Sequence, residues 1–355
     1  MQAFDIIKET KIEKKSYRVA KLYDQFDLNE DVITERFSGK IELPESWNIG
    51  IIVGKSGTGK TTIAKELFGD GFVSSRYINK SVIDDFPQSV SEEVLFKTLS
   101  SVGFSSPPSW LKPYEVLSNG EKMRVDLAMA LLNNKEYIVF DEYTSVVDRE
   151  VAQIGSLAVQ RAIKKENKKF IAVSCHFDII KWLEPDWVFN TDTMEFSITR
   201  GLLRRPEVKI TIREQKGYWK MFSKYHYMNH SAVSGAIEHV AFYEDKPIAL
   251  VSWIHFPHNK YRMLKVHRFV VHPDYQGIGI GKKILNISAE EMLKTGAYIG
   301  ITTSLNEFSK SLMRDKKWLY IRGGKAALNL NIKALNKSVT NNRNTYSFRY
   351  IGESK

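Results

Sequence analysis

A glycine-rich run in the first third of the chain constrains the fold more than any other feature. Its sequence, GKSGTGKT over residues 54–61, fits the pattern G-x-x-x-x-G-K-[ST]. The apolar run Ile49–Val53 before it predicts a strand, and Thr61–Phe68 after it predicts a helix. A loop in this setting turns its backbone N–H groups inward around phosphate groups. The pattern therefore predicts an α/β domain with a parallel sheet that binds a nucleoside triphosphate.

Each polar residue of this site has an expected role. Lys60 is expected to reach the β- and γ-phosphates of ATP, and the Thr61 hydroxyl to bind Mg²⁺. The apolar run 137–140 ends in Asp141, which suits the Mg²⁺ shell, and Glu142, which suits a base that polarises the attacking water. An acidic pair after a strand also caps helices, but beside the glycine loop it favours ATP and Mg²⁺ as cofactors. The loop residues expected at the nucleotide are Gly54, Ser56, Gly57, Gly59, Lys60, Thr61 and Thr62.

Further motifs follow this loop in a fixed order. Residues 117–121 read LSNGE and resemble the signature of the ABC ATPases, usually written LSGGQ, with Ser118 and Gly120 at the start of a helical run. Residues 145–148, SVVD, resemble the D-loop of that family. His176 resembles its switch histidine, a catalytic residue, and Gln88 resembles its Q-loop glutamine, which contacts the nucleotide and Mg²⁺.

The resemblance to the ABC ATPases covers about residues 15–200. It implies a head-to-tail homodimer in which Ser118 of one chain faces the ATP held by Lys60 of the other. No apolar run reaches the roughly 18 residues that a membrane-spanning helix needs, and the stretch between Gln88 and Ser118 is short for a transporter-docking subdomain. The lone cysteine, Cys175, fits a reducing compartment. These features predict a cytoplasmic ABC ATPase of the non-transporter kind, with no membrane partner.

Charge divides the chain into two unlike parts. Residues 1–200 hold 26 Lys and Arg against 30 Asp and Glu, whereas residues 201–355 hold 26 against 11, a net charge of +15. A break falls near residues 201–206, GLLRRP. The sequence thus predicts an ATPase domain over 1–200, with an antiparallel edge built from residues 1–46 (Tyr17–Leu22 and Ile33–Ile41), and a basic domain over 201–355. A basic domain favours an acidic partner such as nucleic acid, although a generic basic surface has the same composition.

A second glycine loop lies in the basic part. Residues 270–281 read VVHPDYQGIGIG, a strand that runs into a loop able to bind a diphosphate before a helix. The run closely resembles the acetyl-CoA loop of the GNAT acyltransferases, and the resemblance covers about residues 206–350. It implies an α/β domain that transfers an acyl group from acetyl-CoA, or another acyl-CoA, to an amine. The residues that the resemblance places at the cofactor are Val270, Val271, Gln276, Gly277, Gly279, Gly281 and Lys282.

The acyltransferase residues are less clearly marked. Many members of the family have a tyrosine in the helix after the fifth strand, where this chain has Met313. Asn306, just after that strand, is a candidate cofactor contact or a helix N-cap. His267, on the central strand, and His226 are candidate bases, and for each a structural role is the alternative.

Residues 218–227, YWKMFSKYHY, alternate aromatic and basic side chains. Two interpretations stay open: aromatic residues that stack on bases, or an amphipathic helix whose aromatic residues enter the core. The leading hypothesis is an N-acyltransferase that modifies nucleic acid, either a DNA base, as in systems of phages and mobile elements, or tRNA. The alternatives are an acetyltransferase for proteins or small amines that its ATPase regulates, and a sensor ATPase whose GNAT fold has lost catalysis.

Overall fold

The computed structural model describes residues 2–12, 16–26, 32–73, 76–133, 135–204, 206–226, 234–325 and 344–352. The strands are β1 Gln2–Lys11, β2 Val32–Ile41, β3 Ile49–Val53, β4 Tyr137–Phe140, β5 Lys169–Ser174, β6 Trp187–Asn190, β7 Glu195–Ile198, β8 Thr211–Glu214, β9 Ile237–Tyr243, β10 Lys246–Phe256, β11 Met263–Val271, β12 Tyr298–Thr303, β13 Trp318–Lys325 and β14 Asn344–Tyr350. The helices are α1 Tyr17–Phe26, α2 Lys60–Phe68, α3 Glu92–Ser101, α4 Pro107–Trp110, α5 Asn119–Leu132, α6 Arg149–Glu166, α7 Ile179–Leu183, α8 Trp219–Phe222, α9 Ile280–Leu293 and α10 Asn306–Met313.

The chain divides into two compact units that interleave along the sequence. Unit 1 contains Met1–Ser74, Asn133–Arg149 and Ile163–Arg205, and unit 2 contains Ser75–Leu132, Glu150–Ala162 and Pro206–Lys355. The division of the sequence at residue 200 stays a prediction about the two family-like regions. In space, the segment with the signature and most of α6 cluster with the C-terminal part, because their side chains pack there.

Unit 1 contains the parallel sheet that the sequence predicts. Its strand order is β4-β5-β3-β6-β7, in which only β7 runs antiparallel to its neighbour. All five residues of β3 are buried, as expected for a strand covered on both faces. The predicted antiparallel edge is present as the pair β1–β2, but Tyr17–Leu22 lies in α1 and is helical. Its apolar residues recur at helical as well as alternating positions, so the expectation of a strand there is wrong.

Unit 2 contains a seven-stranded sheet in the order β13-β14-β12-β11-β10-β9-β8. All neighbouring pairs are antiparallel except β11 and β12. The hairpin between β9 and β10 turns at Glu244 and Asp245, both with positive φ (46° and 64°), as a two-residue type I′ turn requires. The core lies between this sheet and α9, where Ile284, Leu285 and Ala289 are buried.

Candidate functional site

The first glycine loop joins the central strand β3 to α2 in unit 1. Gly57 and Gly59 have φ of 85° and 80°, a region that favours glycine. A Cβ on Gly59 would lie 2.5 Å from the Phe37 ring, so that position also needs its small size. Within the described residues, the N–H groups of Ser56, Gly57 and Gly59 donate to no protein oxygen. Backbone donors without protein partners in a loop of this pattern fit the phosphates of ATP.

Thr191 and Asp192, which belong to no recognised sequence motif, hold the start of the loop. The Lys55 N–H donates to Asp192 Oδ1 at 2.8 Å. A Cβ on Gly54 would lie 2.1 Å from Thr191 Oγ1, so the two chain segments touch. The Lys60 ammonium donates to the Lys55 carbonyl oxygen at 2.5 Å and therefore lies across the loop. Thr191 and Asp192 follow β6, and only the parallel sheet brings them beside Gly54.

The predicted Mg²⁺ residues meet at the end of β4. The Thr61 hydroxyl donates to Asp141 Oδ1 at 3.0 Å, and the Glu142 N–H donates to the same oxygen at 3.0 Å. Glu142 has a φ of 49°, an uncommon value for a residue with a side chain, and lines the same pocket as Thr61 and Asp141. No group of three or more His, Cys, Asp or Glu in the described residues could hold a metal ion alone. One hydroxyl and one carboxylate suit Mg²⁺, which takes its other ligands from phosphates and water.

These residues line one pocket of about 530 Å³. Ser56, Gly57, Gly59, Lys60, Thr61, Thr62, Asp141 and Glu142 contribute to it. The other lining residues are Lys8, Glu35, Phe37, Ser145, Val173, Ser174 and Cys175, and of these the motifs of the sequence indicated only Ser145, in the D-loop resemblance. Lys8 and Glu35 pair across the β1–β2 ladder, a long-range register that no local motif reveals.

His176 follows β5 at the same sheet edge. Its N–H donates to Ser174 Oγ at 3.1 Å, and Ser174 lines the pocket. Its buried Nδ1 has no hydrogen-bond partner among the described residues. That unsatisfied nitrogen suits a ligand contact better than a purely structural role.

Three other residues expected at the nucleotide belong to unit 2. Gln88 is exposed on a turn after residues 82–85, and Ser118 is exposed just before α5. Gly120, in the first turn of α5, is buried. Unit 1 alone therefore holds the phosphate loop and the acidic pair, and the signature segment is carried by the other unit.

Glu121, where the signature usually has glutamine, closes a capping box with Ser118. The Glu121 N–H donates to the Ser118 hydroxyl at 3.3 Å, and the Ser118 N–H donates to Glu121 Oε2 at 3.0 Å. The other carboxylate oxygen accepts from the Ser109 hydroxyl at 2.8 Å. The departure from the family pattern thus has a structural reason: the carboxylate holds the start of α5.

The second glycine loop connects β11 to α9 in unit 2. Gly277 and Gly279 have φ of 84° and 79°, and α9 starts at Ile280 with Gly279 as its N-cap. The N–H groups of Gly277, Ile278 and Gly279 donate to no oxygen among the described residues. With the free N–H groups of the first turn of α9, they form a cradle that fits the diphosphate of a coenzyme A thioester.

The other residues expected at the acyl-CoA lie around this cradle. The Gln276 amide donates to the Val271 carbonyl oxygen at 2.8 Å and folds the loop back on β11. Val270 is buried beneath α8, and Val271 is half-buried. Gly281 lies in the first turn of α9, and the Lys282 ammonium pairs with Asp315 at 3.4 Å.

The central strands of this sheet separate beside the loop. Parallel pairing joins Met263–Lys265 to Tyr298–Gly300, and within the described strands it stops there. His267 follows immediately: Ser252 pairs with Arg268 and Trp253 with Val266, so His267 is the extra residue of a β-bulge. Burial, and then the positive charge of Arg268, hold the pKa of His267 below its ordinary 6.5. His267 is therefore mostly neutral at pH 7, and its buried Nδ1 has no partner among the described residues.

The aromatic and basic run of residues 218–226 packs mostly as the amphipathic alternative predicts. Trp219 and Phe222 are buried in a cluster with Val240, Phe242, Leu250 and Val270, whereas Lys220 and Lys224 are exposed. His226 is buried with its ring edge-on to Trp219 at 5.6 Å. The predicted helix is shorter than expected, because α8 covers only Trp219–Phe222 before a 3₁₀ turn. Residue 227 and the end of the predicted helix lie outside the described residues.

The helix after β12 holds the last two candidates. Asn306 is exposed as the first residue of α10, and Leu305 precedes it as the N-cap, so Asn306 does not cap the helix. Met313 is exposed at the end of α10. A thioether donates no proton, so this position supplies no acid for a leaving thiolate.

Comparisons with known proteins also find two different families of relatives for this chain. The model of the acetyltransferase (GNAT) family matches residues 203–315. The energy-coupling factor transporter ATP-binding protein EcfA of Malacoplasma penetrans is 34% identical over 110 residues, which are 30% of this chain and 33% of that protein. The phosphonates import ATP-binding protein PhnC 2 of Synechococcus sp. is 35% identical over 94 residues, 24% of this chain and 34% of that protein. The chain thus spans about a third of the length of these curated relatives.

Among solved structures, a dimeric cassette of a bacterial ABC transporter is 16% identical, with a TM-score of 0.40. The likeness covers 49% of this chain and 95% of the cassette. No helix in the described part of the chain has the length and apolar character to cross a membrane. A stretch similar to ABC-type ATP-binding proteins and a stretch that matches the acetyltransferase (GNAT) family model are joined in one chain.

Proposed function

We propose that this chain, in which an ABC ATPase-like region is fused to a GNAT-family acetyltransferase domain, is an ATP-dependent N-acyltransferase that acts on nucleic acid. Acetyl-CoA, or another acyl-CoA, would supply the acyl group. An amine nitrogen of the acceptor attacks the thioester carbonyl carbon, a C–N bond forms and the C–S bond breaks. The amine gives up one proton to a base, and the leaving sulfur takes one proton.

The observation that carries the choice of acceptor is the open face of the sheet in unit 2. Four neighbouring stretches, residues 254–265, 296–303, 318–325 and 344–350, contain no Asp or Glu. They carry five described basic side chains: Lys260, Arg262, Lys265, Arg322 and Arg349. Strand pairing aligns Lys265, Gly300, Arg349 and Leu319 in one row across the sheet. A surface of this composition favours a polyanion.

Aromatic side chains are stacked within the same face. His258 stacks on Tyr261 with 3.8 Å between ring centroids, and Tyr261 stacks on Tyr298 at 5.0 Å. The Arg349 guanidinium lies 4.0 Å from the Tyr298 ring centroid on the same stack. Burial, and then the charge of Arg322, lower the pKa of Lys265. A bound phosphate would offset both the desolvation and the repulsion that disfavour the charged ammonium. Stacked rings beside cations are the combination that binds single-stranded or unstacked bases.

For the transfer itself, His267 is the proposed base. Its position at the β-bulge, where β11 and β12 part, and its lowered pKa support a neutral imidazole beside the thioester. The edge-on packing of His226 against Trp219 supports a positioning role for that histidine instead. We assign no acid for the leaving sulfur.

For the ATPase, the proposal adds Mg²⁺-dependent hydrolysis by a homodimer. Thr61 and Asp141 would hold Mg²⁺, and Glu142 would orient the attacking water. The exposure of Ser118 leaves the signature segment open to the nucleotide of a second chain. His176 and Gln88 would complete the surroundings of the γ-phosphate and Mg²⁺.

The test combines binding with product analysis on the full chain. We expect DNA or RNA oligonucleotides to bind with an affinity that falls steeply with salt. Arg349→Ala should lower the salt dependence by about one released ion, whereas Lys165→Ala, an exposed cation on α6, should not. Mass spectrometry of nucleosides from DNA and from tRNA, after incubation with ATP and acetyl-CoA, should show a new acylated nucleoside in one of the two.

Each alternative gives a different result in this experiment. Binding of acetyl-CoA and acylation of proteins or small amines, without nucleic-acid binding at low salt, would overturn the proposed acceptor. Absence of acetyl-CoA binding would favour the sensor ATPase. An acylated nucleoside that Arg349→Ala does not reduce would contradict the assignment of the open face.

A further inference from the structure

The acyl-CoA loop in unit 2 packs against the segment that carries the ATPase signature. Residues 273–276 form a turn ahead of the loop, and this turn rests on the first turn of α5. The loop itself rests on Gly103, which follows α3, and on α6. All of these segments belong to one compact unit. The contacts join two sites that sequence comparison assigns to different families.

Arg124 makes the first of these contacts. Its side chain is only 1% exposed, which is rare for arginine and requires compensating partners. Nη2 donates to the Asp274 carbonyl oxygen at 2.8 Å, and Nη1 donates to the Gly120 carbonyl oxygen at 3.1 Å. Nη1 also lies 3.9 Å from Asp274 Oδ1. One guanidinium therefore ties the signature glycine to the turn that precedes the acyl-CoA loop.

The signature glycine also touches this turn directly. A Cβ on Gly120 would lie 3.2 Å from Asp274 Oδ1. Gly120 is two residues from Ser118, and Asp274 is two residues from Gln276. A phosphate held at Ser118 and a diphosphate held at Gly277–Gly279 would thus be separated by little more than one turn of α5 and the turn 273–276.

Arg161 and Gly103 support the loop from its outer side. The Arg161 guanidinium donates to the Ile278 carbonyl oxygen, and a Cβ on Gly279 would lie 2.2 Å from Arg161 Nη1. A Cβ on Gly277 would lie 2.9 Å from Gly103 Cα, so two backbones meet without side chains between them. The Ser105 N–H donates to Gln276 Oε1 at 3.0 Å. These contacts reach the carbonyl and side-chain groups of the loop and leave its N–H groups free for a ligand.

The same turn is also held at its aromatic residue. The Tyr275 hydroxyl donates to Glu150, in the first turn of α6, and the Lys246 ammonium pairs with the same carboxylate. Burial raises the pKa of the Tyr275 hydroxyl, so it stays a donor at physiological pH. The turn therefore has fixed contacts to both α5 and α6.

We propose that Arg124 and Arg161 are positioning residues through which ATP, bound at the signature segment, increases the affinity of the loop for acyl-CoA. The physical basis is the conformational entropy that each ligand must remove on binding. A ligand that fixes the first turn of α5 also fixes the turn 273–276, so a second ligand loses less conformational entropy when it orders the loop. The linkage is reciprocal, so acyl-CoA tightens ATP binding by the same factor. It rests on the proposed function, which takes acyl-CoA as the ligand of the loop and the ATP of a second chain as the ligand of the signature segment.

The test measures acetyl-CoA binding to the full chain by calorimetry, with and without Mg²⁺ and a non-hydrolysable ATP analogue. For the wild type we expect the analogue to lower the Kd for acetyl-CoA about five-fold or more. Arg161→Ala should raise that Kd about ten-fold and remove the response to the analogue. Arg161→Lys should restore part of both effects, because it keeps a cation beside the Ile278 carbonyl oxygen. Lys165→Ala, one turn along α6, should behave as wild type.

Hydrogen exchange of residues 276–282 provides a second readout that needs no acetyl-CoA. The ATP analogue should slow exchange there in the wild type and not in Arg161→Ala. Equal acetyl-CoA affinity with and without the analogue, or a full response in Arg161→Ala, would overturn the proposal. If the wild type binds no acetyl-CoA, the proposed acyltransferase is wrong, and the exchange experiment still decides whether the signature segment and the loop are linked.

Discussion

The Thr61 hydroxyl donates to Asp141 Oδ1 at 3.0 Å, which joins the first turn of α2 to the end of β4. Glu142 follows and lines the same pocket. We expect Glu142→Gln to keep ATP binding and to lower hydrolysis by roughly 10²- to 10⁴-fold, because the base is lost and the fold is not. Phosphate release and ATP affinity check this, and gel filtration with ATP should show a more persistent dimer.

Asp141→Asn is the comparison for this variant. It removes a charge from the expected Mg²⁺ shell, so it should weaken Mg²⁺-dependent ATP binding itself. Hydrolysis at the wild-type rate by Glu142→Gln would contradict the assigned role.

Gly57 and Gly59 offer a matched pair of substitutions in the phosphate loop. Both have positive φ, so alanine at either position should cost about 1–2 kcal/mol of backbone strain. A Cβ on Gly57 meets nothing within 4 Å, whereas one on Gly59 meets the Phe37 ring at 2.5 Å. Urea denaturation without nucleotide should therefore show a larger loss of unfolding free energy for Gly59→Ala, by about 1–3 kcal/mol. Equal losses of unfolding free energy in the two variants would show that the Phe37 ring moves aside without an energetic cost.

The capping box at the start of α5 predicts a different response at Glu121. Glu121→Ala removes the partner of the Ser118 N–H and leaves the buried Ser109 hydroxyl unsatisfied. We expect a loss of about 1–3 kcal/mol in unfolding free energy, whereas Glu121→Gln, which keeps an oxygen acceptor, should lose less. Comparable losses in the two variants would mean that the charge, and not the hydrogen bonds, stabilises the helix.

His239 predicts how stability depends on pH. Its Nδ1 lies 2.7 Å from the Ser288 hydroxyl, which also accepts from Trp253 at 2.8 Å in the core. Burial holds the pKa of His239 below its ordinary 6.5 in the folded state. The unfolded chain then binds more protons, so stability is complete above about pH 6.5 and falls as the pH drops below it. His239→Gln should flatten this fall in denaturation curves at pH 5 to 7.

His267 predicts the pH dependence of acyl transfer. With its pKa lowered by burial and by Arg268, the imidazole becomes protonated only below 6.5. The rate at saturating substrates should therefore fall on the acid side with an apparent pKa below 6.5. His267→Gln should lower the rate and remove that acid limb. An unchanged limb in the variant would assign it to another group.

The sequence predicts the local parts of both sites and misses the parts that depend on long-range pairing. The two glycine loops are short segments whose backbone conformation decides their function, so their patterns identify them. Thr191 and Asp192 reach Gly54 only because β6 pairs with β3. No local sequence pattern predicts that pairing. The bulge at His267 likewise needs the register of β10 against β11.

The helical interpretation of residues 218–227 and the strand prediction for Tyr17–Leu22 show the limit of periodicity. In α1 the same apolar positions fit both a helical and an alternating pattern, so tertiary packing determines whether a helix or a strand forms. In α8 the buried positions of Trp219 and Phe222 follow the helical spacing, but the chain leaves the helix after one turn. No local sequence pattern predicts the contacts of α5 and α6 with the turn 273–276, because these segments resemble two different families of proteins.

The backbone contact between Gly103 and Gly277 limits which substitutions this chain can accept during evolution. Neither position can gain a side chain unless the other backbone moves, and because both are already glycine, no substitution at one can make room for a side chain at the other. Exchange of the acetyltransferase part for a homologous one by recombination would separate residues that fit only each other. The two parts are therefore expected to be inherited and to diverge together.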